Sequence, residues 1–263
     1  MIIVGELINS SRRQIAEAIE TRDRKLIQEL AASQMQNGAH FIDVNAGTFG
    51  DTEGEHLEWL VKTVQEKVEA PCCLDSPDPN ALERALTAHR GTAMINSISL
   101  EKERYENVLP WIAGTDMKVI ALCMSDQGMP ETTDDRVAVA DQLINRLIQN
   151  NIPLNHIYVD PLVQPVSTNG GYGVAFLSAI EKIMATFEGV HTMCGLSNIS
   201  YGLPKRKRMN RAFMAMAISK GMDGAIVNPL DNEMMAVIAT AEALCGKDEY
   251  CMAYLQAYRE EKL

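Results

Sequence analysis

Seven short apolar runs in this 263-residue chain end in an acid, an amide or both. The ends read Gly5-Glu6-Leu7-Ile8-Asn9, Asp43-Val44-Asn45-Ala46-Gly47, Leu74-Asp75-Ser76, Ile95-Asn96-Ser97, Val159-Asp160-Pro161, Gly195-Leu196-Ser197-Asn198 and Val227-Asn228-Pro229. An eighth run contributes only Met124-Ser125-Asp126. Taken singly, each end has an ordinary explanation, since Asp or Asn after a strand often caps a helix or closes an Asx turn. Gathered on one rim, the carboxylates of Glu6, Asp43, Asp75 and Asp160 would repel, and would need cationic or donor-rich company. A divalent metal is one such ligand, and it wants carboxylates or histidines at close range. No run ends in a histidine, because His40, His156 and His191 stand at run starts. The other ligand is a flat neutral heterocycle with a fork of N–H donors. A carboxylate accepts two parallel N–H bonds from it, as it does from guanidinium. Asparagines such as Asn45, Asn96 and Asn198 then read the mixed donor and acceptor edges. An acid- and amide-rich rim without histidine favours the heterocycle and predicts no bound metal.

Such a rim needs elements that bring distant segments to one side. The apolar runs are Ile2–Ile8, His40–Asn45, Pro71–Asp75, Ala93–Ser97, Val119–Met124, His156–Leu162, His191–Ser197 and Gly224–Asn228. Between them lie segments with helical apolar spacing: Leu26–Met35, Leu57–Val68, Leu82–His89, Tyr105–Ile112, Val137–Ile148, Phe176–Phe187, Phe213–Ser219 and Met234–Leu244. Strands alternating with helices imply parallel pairing through crossover helices. Continuous apolar runs imply that both strand faces are covered. Eight such units in about 250 residues predict an α/β fold, a single (β/α)8 TIM barrel, with a doubly wound open sheet as the rival. In a parallel barrel, function gathers at the C-terminal strand ends, where the acids and amides stand. Tyr250–Glu260 reads as an extra amphipathic helix, with Tyr250, Tyr254 and Tyr258 at i, i+4 and i+8. Such a helix would cover a barrel end or join a dimer.

Composition narrows the class. Hydrophobic residues make up 46% and charged residues 22% of the chain, which excludes disorder, collagen and coiled coil. A formal net charge of −11 argues against nucleic acid. No apolar run approaches the roughly 18 residues needed to span a membrane. Met1-Ile-Ile-Val-Gly-Glu6 has no basic region, so no secretory signal is expected. Cys72, Cys73, Cys123 and Cys194 sit in apolar runs and read as buried thiols of a reducing cytoplasm. No linker or charge block marks a boundary, so residues 1–263 read as one domain.

A pterin has the character this rim asks for, with its 2-amino group and ring nitrogens forming a flat guanidine beside a lactam. The ordered set of strand ends, together with Asn210-Arg211-Ala212-Phe213, resembles the methyltetrahydrofolate–corrinoid methyltransferase family. These are pterin-binding (β/α)8 barrels related to the folate domain of cobalamin-dependent methionine synthase and, more distantly, to dihydropteroate synthase. The likeness covers nearly the whole chain. It implies methyl transfer between N5 of tetrahydrofolate and the cobalt of a corrinoid held by a partner protein. It also implies a homodimer. The family's pterin-binding residues match Asp75, Asn96 and Asp160, and the asparagine that reaches N5 matches Asn198. Gly195 and Ser197 of the same turn, with Glu6, Asp43, Asn45 and Arg206, complete the implied folate site. Some relatives carry Arg third in the first motif, where this chain has Leu7.

Methyl leaving from a tertiary amine requires N5 to gain a proton or a strong hydrogen bond by the transition state. Asn198 can donate that bond, while Asp75 and Asp160 are the candidates for orientation and proton relay. The corrinoid is expected on another protein. Its carriers show Asp-x-His-x-x-Gly, and none of the five histidines here has Asp two residues before it. Lys205-Arg206-Lys207-Arg208 reads either as a solvated helix start or as an anchor for the folate tail or an acidic partner. The Met-rich Phe213-Met-Ala-Met-Ala217 reads as a packing helix. The alternatives are a dihydropteroate synthase-like enzyme, a non-catalytic pterin- or corrinoid-docking subunit, and a metal-dependent barrel lyase.

Overall fold

Eight parallel strands form one sheet in the computed structural model, which describes residues 1–263. They are β1 (Ile2–Asn9), β2 (Phe41–Asn45), β3 (Cys72–Asp75), β4 (Met94–Leu100), β5 (Lys118–Ser125), β6 (Ile157–Asp160), β7 (His191–Thr192) and β8 (Gly224–Val227). Between and after them run α1 (Arg13–Glu20), α2 (Arg24–Gln36), α3 (Glu53–Lys67), α4 (Pro79–Ala88), α5 (Lys102–Ile112), α6 (Thr133–Gln149), α7 (Tyr172–Thr186), α8 (Arg206–Ser219), α9 (Asn232–Leu244) and α10 (Met252–Arg259). Each strand pairs with its chain neighbour from β7 back to β1, and β1 pairs with β8. The circle closes through a parallel bridge between Gly195 and Ile226, where the Ile226 N–H donates to the Cys194 carbonyl at 3.0 Å. The (β/α)8 barrel is therefore observed, and the open sheet is excluded.

Alternation along the strands sorts two cores. Val4, Phe41, Cys73, Met94, Ile120, Tyr158 and Met193 point inward and fill the barrel. Val44, Leu74, Ile95, Val119 and Val159 point outward and pack under the helices. Inward positions nearest the C-terminal ends are the ones that turn polar. The N-terminal end is closed by His191, whose Nδ1 lies 2.6 Å from Asp223 and whose ring stacks on Tyr158.

Two features of β1 place its rim residue. A register shift between Gly5 and Ile8 sends Ile8 into the outer core and leaves Glu6 at the mouth. A Cβ on Gly5 would collide with Gln34 Oε1. That oxygen accepts the Leu7 N–H at 3.0 Å, so the glycine admits the side chain that satisfies the bulge.

Three expectations change. The strand expected over His191–Ser197 stops at Thr192, because Leu196–Ser200 curl into a single 3₁₀ turn. Helix α1 lies where no helix was expected; its Ile15, Ala18 and Ile19 are buried. Tyr250 has φ 54° and lies outside α10, so the tyrosine stripe is broken and only Tyr254 and Tyr258 share the helix. α10 packs on α9. No helix is long and apolar enough to cross a membrane.

Candidate functional site

On the β2–β4 side of the mouth the side chains are already wired to one another. Asn45 Oδ1 accepts from Ser10 Oγ and from the Gly47 N–H, each at 3.0 Å. Its amide is thereby oriented so that Nδ2 donates to Asp75 Oδ2 at 3.0 Å and to the Asp75 carbonyl at 3.3 Å. Burial raises the Asp75 pKa, and the Asn45 hydrogen bond opposes it. Asp43 lies deeper, and its Oδ1 has no hydrogen-bond partner. Burial, and then the charge of Asp75, pushes Asp43 well above the usual carboxylate range. Two acids this close cannot both ionise cheaply, and the deeper one with the orphaned oxygen keeps the proton.

The loops that carry Asp75 and Asn96 are held by a residue no strand-end pattern pointed to. Arg104 of α5 donates through Nε to the Ser97 carbonyl at 2.7 Å, through Nη1 to Pro77 at 2.8 Å and through Nη2 to Ser76 at 2.8 Å. Glu53, the first residue of α3, is a second such case. It is buried behind Asp75 with one orphaned oxygen, and burial raises its pKa. A cleft of about 620 Å³ opens over Asp75 and Asn96, walled by Leu122 and Met124 and rimmed by Glu101 and Asp126. Asp160, at the end of β6, is buried, and its Oδ1 accepts the Leu162 N–H at 2.8 Å. Burial pushes its pKa up to about 7, against the pull of the Leu162 and Gly195 N–H groups and of Arg136.

The β7–β1 side differs. Ser197 and Asn198 stand exposed on the turn after β7, and the Asn198 side chain makes no hydrogen bond within the protein. Arg206 fixes that turn from α8, donating through Nη2 to the Ser197 carbonyl at 2.7 Å and through Nε to Ser200 Oγ at 3.0 Å. A smaller cleft of about 240 Å³ lies between Glu6, Ser197 and Asn228. Glu6 pairs with Arg12 at 2.9 Å, yet burial still raises its pKa.

Glu6, Asp43, Asn45, Asp75, Asn96, Asp160, Gly195, Ser197 and Asn198 therefore all belong to the C-terminal end, with Arg206 behind the last turn. Three other rim candidates do local work. Asn9 and Asn228 accept N–H groups two residues on, from Ser11 and Leu230, and Asp126 caps α5 through the Lys102 N–H. The basic cluster is partly neutralised, since Lys207 lies 3.2 Å and Arg211 2.6 Å from Asp231. No three His, Cys, Asp or Glu side chains are spaced to hold a metal ion.

Residues 5–228 match the family described as pterin binding enzyme. The chain is 36% identical over 265 residues to a methylcorrinoid:tetrahydrofolate methyltransferase of Eubacterium limosum, covering 100% of this chain and 98% of the relative. It is 27% identical to the methionine synthase of Mycobacterium leprae over 87% of its own length, spanning 20% of that larger protein. A dihydropteroate synthase from Coxiella burnetii, solved with pteroic acid, superposes with TM-score 0.71 at 15% identity over 94% of both chains. One from Yersinia pestis gives 0.70 at 16% identity over 92% of this chain and 93% of the other. At these identities the synthases show the shared barrel and no more.

Proposed function

Since the chain belongs to the pterin binding enzyme family, we propose that it moves a methyl group between N5 of tetrahydrofolate and the cobalt of a corrinoid carried by a partner protein. The observation that carries this reading is the gathering of Asp75, Asn96 and Asp160 at the C-terminal end of the barrel, with Asn198 exposed and without a protein partner on the turn after β7. The relative matched over the full chain is a methylcorrinoid:tetrahydrofolate methyltransferase, an enzyme of both substrates.

In this reading Asp160 and Asn96 hold the pterin head, with Gly195 and Ser197 shaping the turn above it. A carboxylate at Asp160 accepts the ring's parallel N–H donors, while Asn96 meets its mixed edge. Asp75, oriented by Asn45 and adjoining protonated Asp43, polarises the ring and exchanges its proton with water. Asn198 donates to N5 as charge develops there. From methylcorrinoid to tetrahydrofolate, the N5 lone pair forms the new N–C bond. The Co–C pair stays on cobalt, and the N5 proton leaves by way of the carboxylates. In the reverse direction the same carboxylates return that proton. The corrinoid and both folates are substrates, and the rim above Asn198 stays open for a protein-borne ring.

Residues 1–263 act as one unit in this proposal, as a homodimer in the cytoplasm. Support for a second copy comes from outer surfaces rich in apolar groups: Met209 and Met216 on α8 and Leu244 on α9 are exposed. Sedimentation at micromolar concentration should give twice the chain mass, and a monomer would remove the dimer from the account. In a reducing compartment the exposed Cys245 and Cys251 stay as thiols. The reading as a dihydropteroate synthase rests on fold likeness alone. A non-catalytic docking subunit would not need an unpartnered amide at the mouth. The test is direct: wild type with methyltetrahydrofolate and Co(I) cobalamin should produce methyl-cobalt absorbance, and Asn198→Ala should produce it far more slowly.

A further inference from the structure

Arg136 is the bulkiest side chain in the protein with no exposed surface. A buried guanidinium ordinarily lies against a carboxylate, because its desolvation is otherwise uncompensated. This one has no carboxylate within 4.0 Å; its Nη1 donates to the Glu131 and Thr132 carbonyls at 2.9 and 3.0 Å. Nη2 reaches the Leu162 carbonyl at 3.4 Å, and Nε has no partner. Leu162 is the residue whose N–H holds Asp160 at 2.8 Å, and it sits at φ 63°, a left-handed conformation that a leucine adopts only when its surroundings impose it. One strained residue is thus gripped from both ends, by Arg136 at its carbonyl and by Asp160 at its N–H.

We infer that Arg136 is a positioning residue. Through Leu162 it fixes the Asp160 carboxylate in the mouth, and it supplies the counter-charge this buried acid would otherwise lack. The inference rests on the pterin-holding role proposed above for Asp160. The groups facing Asp160 from its neighbours are Cys123 on β5, Cys194 on β7, the N–H groups of Leu162 and Gly195, and Arg136 on α6. Both thiols are pushed up by burial and carry no charge at neutral pH, so the guanidinium is the cation of this set. Arg136 itself faces Cys123, Asp160, the Tyr172 ring at 5.9 Å and Asp135 of its own helix. Asp135 is already engaged in capping Thr132.

With its pKa near 7 Asp160 is about half ionised at neutral pH; without the cation the protonated form prevails, which exchanges one acceptor for an O–H and no longer accepts two pterin N–H groups. Arg136→Met and Arg136→Gln should raise the folate Kd at pH 7 by about 5-fold, the loss of ionised Asp160 when a pKa near 7 moves up by one unit. The loss should recover above pH 8.5, with kcat at saturating folate little changed. Arg136→Lys, which keeps the charge, should retain the native pH profile. A readout independent of methyl transfer is the Asp160 carboxyl followed by 13C NMR in the folate-free protein. It should titrate at least one unit higher in the Gln variant than in wild type or the Lys variant. An unchanged titration midpoint with equal destabilisation in all three variants overturns the inference, leaving wild-type transfer untouched. Loss of wild-type transfer with the midpoint still displaced would fault the function instead. Should the Met variant fail to fold, the Gln and Lys pair carries the comparison.

Discussion

The two sides of the barrel mouth are built differently. From β2 to β4 the polar groups are buried or half-buried, and most are held by neighbours. Asn45 holds Asp75, Arg104 holds the loops behind Asp75 and Asn96, and Asp43 and Glu53 stand behind them as raised acids. From β7 to β1 the turn itself is pinned, by Arg206, but the Ser197 and Asn198 side chains are presented to solvent without hydrogen-bond partners in the protein. A committed side can recognise a rigid heterocycle at low reorganisation cost, as pre-placed dipoles do. An uncommitted side leaves room for a second substrate and for a hydrogen bond formed only as the reaction proceeds. Ring recognition thus falls mainly to the committed side, where Asp75 also handles the proton, and the hydrogen bond to N5 to the open side, so changes on each side should separate in kinetics.

The largest expected effect lies on the open side. Asn198→Ala should lower the methyl-transfer kcat about 100-fold, the usual scale for removing one donor to developing charge, with little change in folate Kd. Equal losses in both would erase the distinction between the sides. Next comes Asp160→Asn, which should weaken folate binding by about 10- to 100-fold while kcat at saturation falls less. This variant also tests linkage. The folded pKa, about 7, exceeds the ordinary value of 3.8, so the native state holds the extra proton between these two values. Stability from this group is greatest below pH 4 and falls as pH rises through 7, by at most about 4 kcal/mol. Asp160→Asn should therefore melt higher than wild type at pH 8, with the gain fading by pH 5; an equal difference at both would contradict the raised pKa.

A smaller effect is expected behind the committed side. Arg104→Met leaves three loop carbonyls without their donor, and should cost about 1–3 kcal/mol in thermal unfolding together with a rise in folate Kd. A variant that unfolds like wild type yet loses folate affinity would mean that Arg104 touches the ligand directly. The smallest belongs to the basic helix start. Lys207 is shared with Asp231, leaving Lys205 and Arg208 exposed. Replacing these two by Ala should slow transfer with a protein-borne corrinoid a few-fold at low salt and leave free cobalamin unaffected. A loss independent of ionic strength would end that role.

Much of this site could be read from residue order because strand ends in a parallel barrel point to one rim. Asp43, Asp75, Asn96 and Asp160 are inward-facing positions on four strands, Asp75 and Asp160 at the very ends, and period-two alternation puts them there. What escaped came from helices and turns. Arg104 and Arg136 reach the site from α5 and α6 through backbone carbonyls, which no side-chain spacing reports. Glu53 lies in a first helical turn, where an acid is also simply favoured by the helix dipole. Asn9, Asn228 and Asp126 show that a residue type suited to ligand binding is equally suited to closing a turn or capping a helix. The early end of β7 and the left-handed Tyr250 are matters of local backbone that apolar periodicity does not encode.

The central claim is best tested by mixing the protein with methylcobalamin and saturating tetrahydrofolate under anaerobic conditions and following the cobalt spectrum. The account predicts conversion to Co(I) cobalamin only when protein and tetrahydrofolate are both present, and its loss in Asn198→Ala despite retained folate binding. Folate bound by the wild type with the methyl–cobalt spectrum unchanged would contradict it.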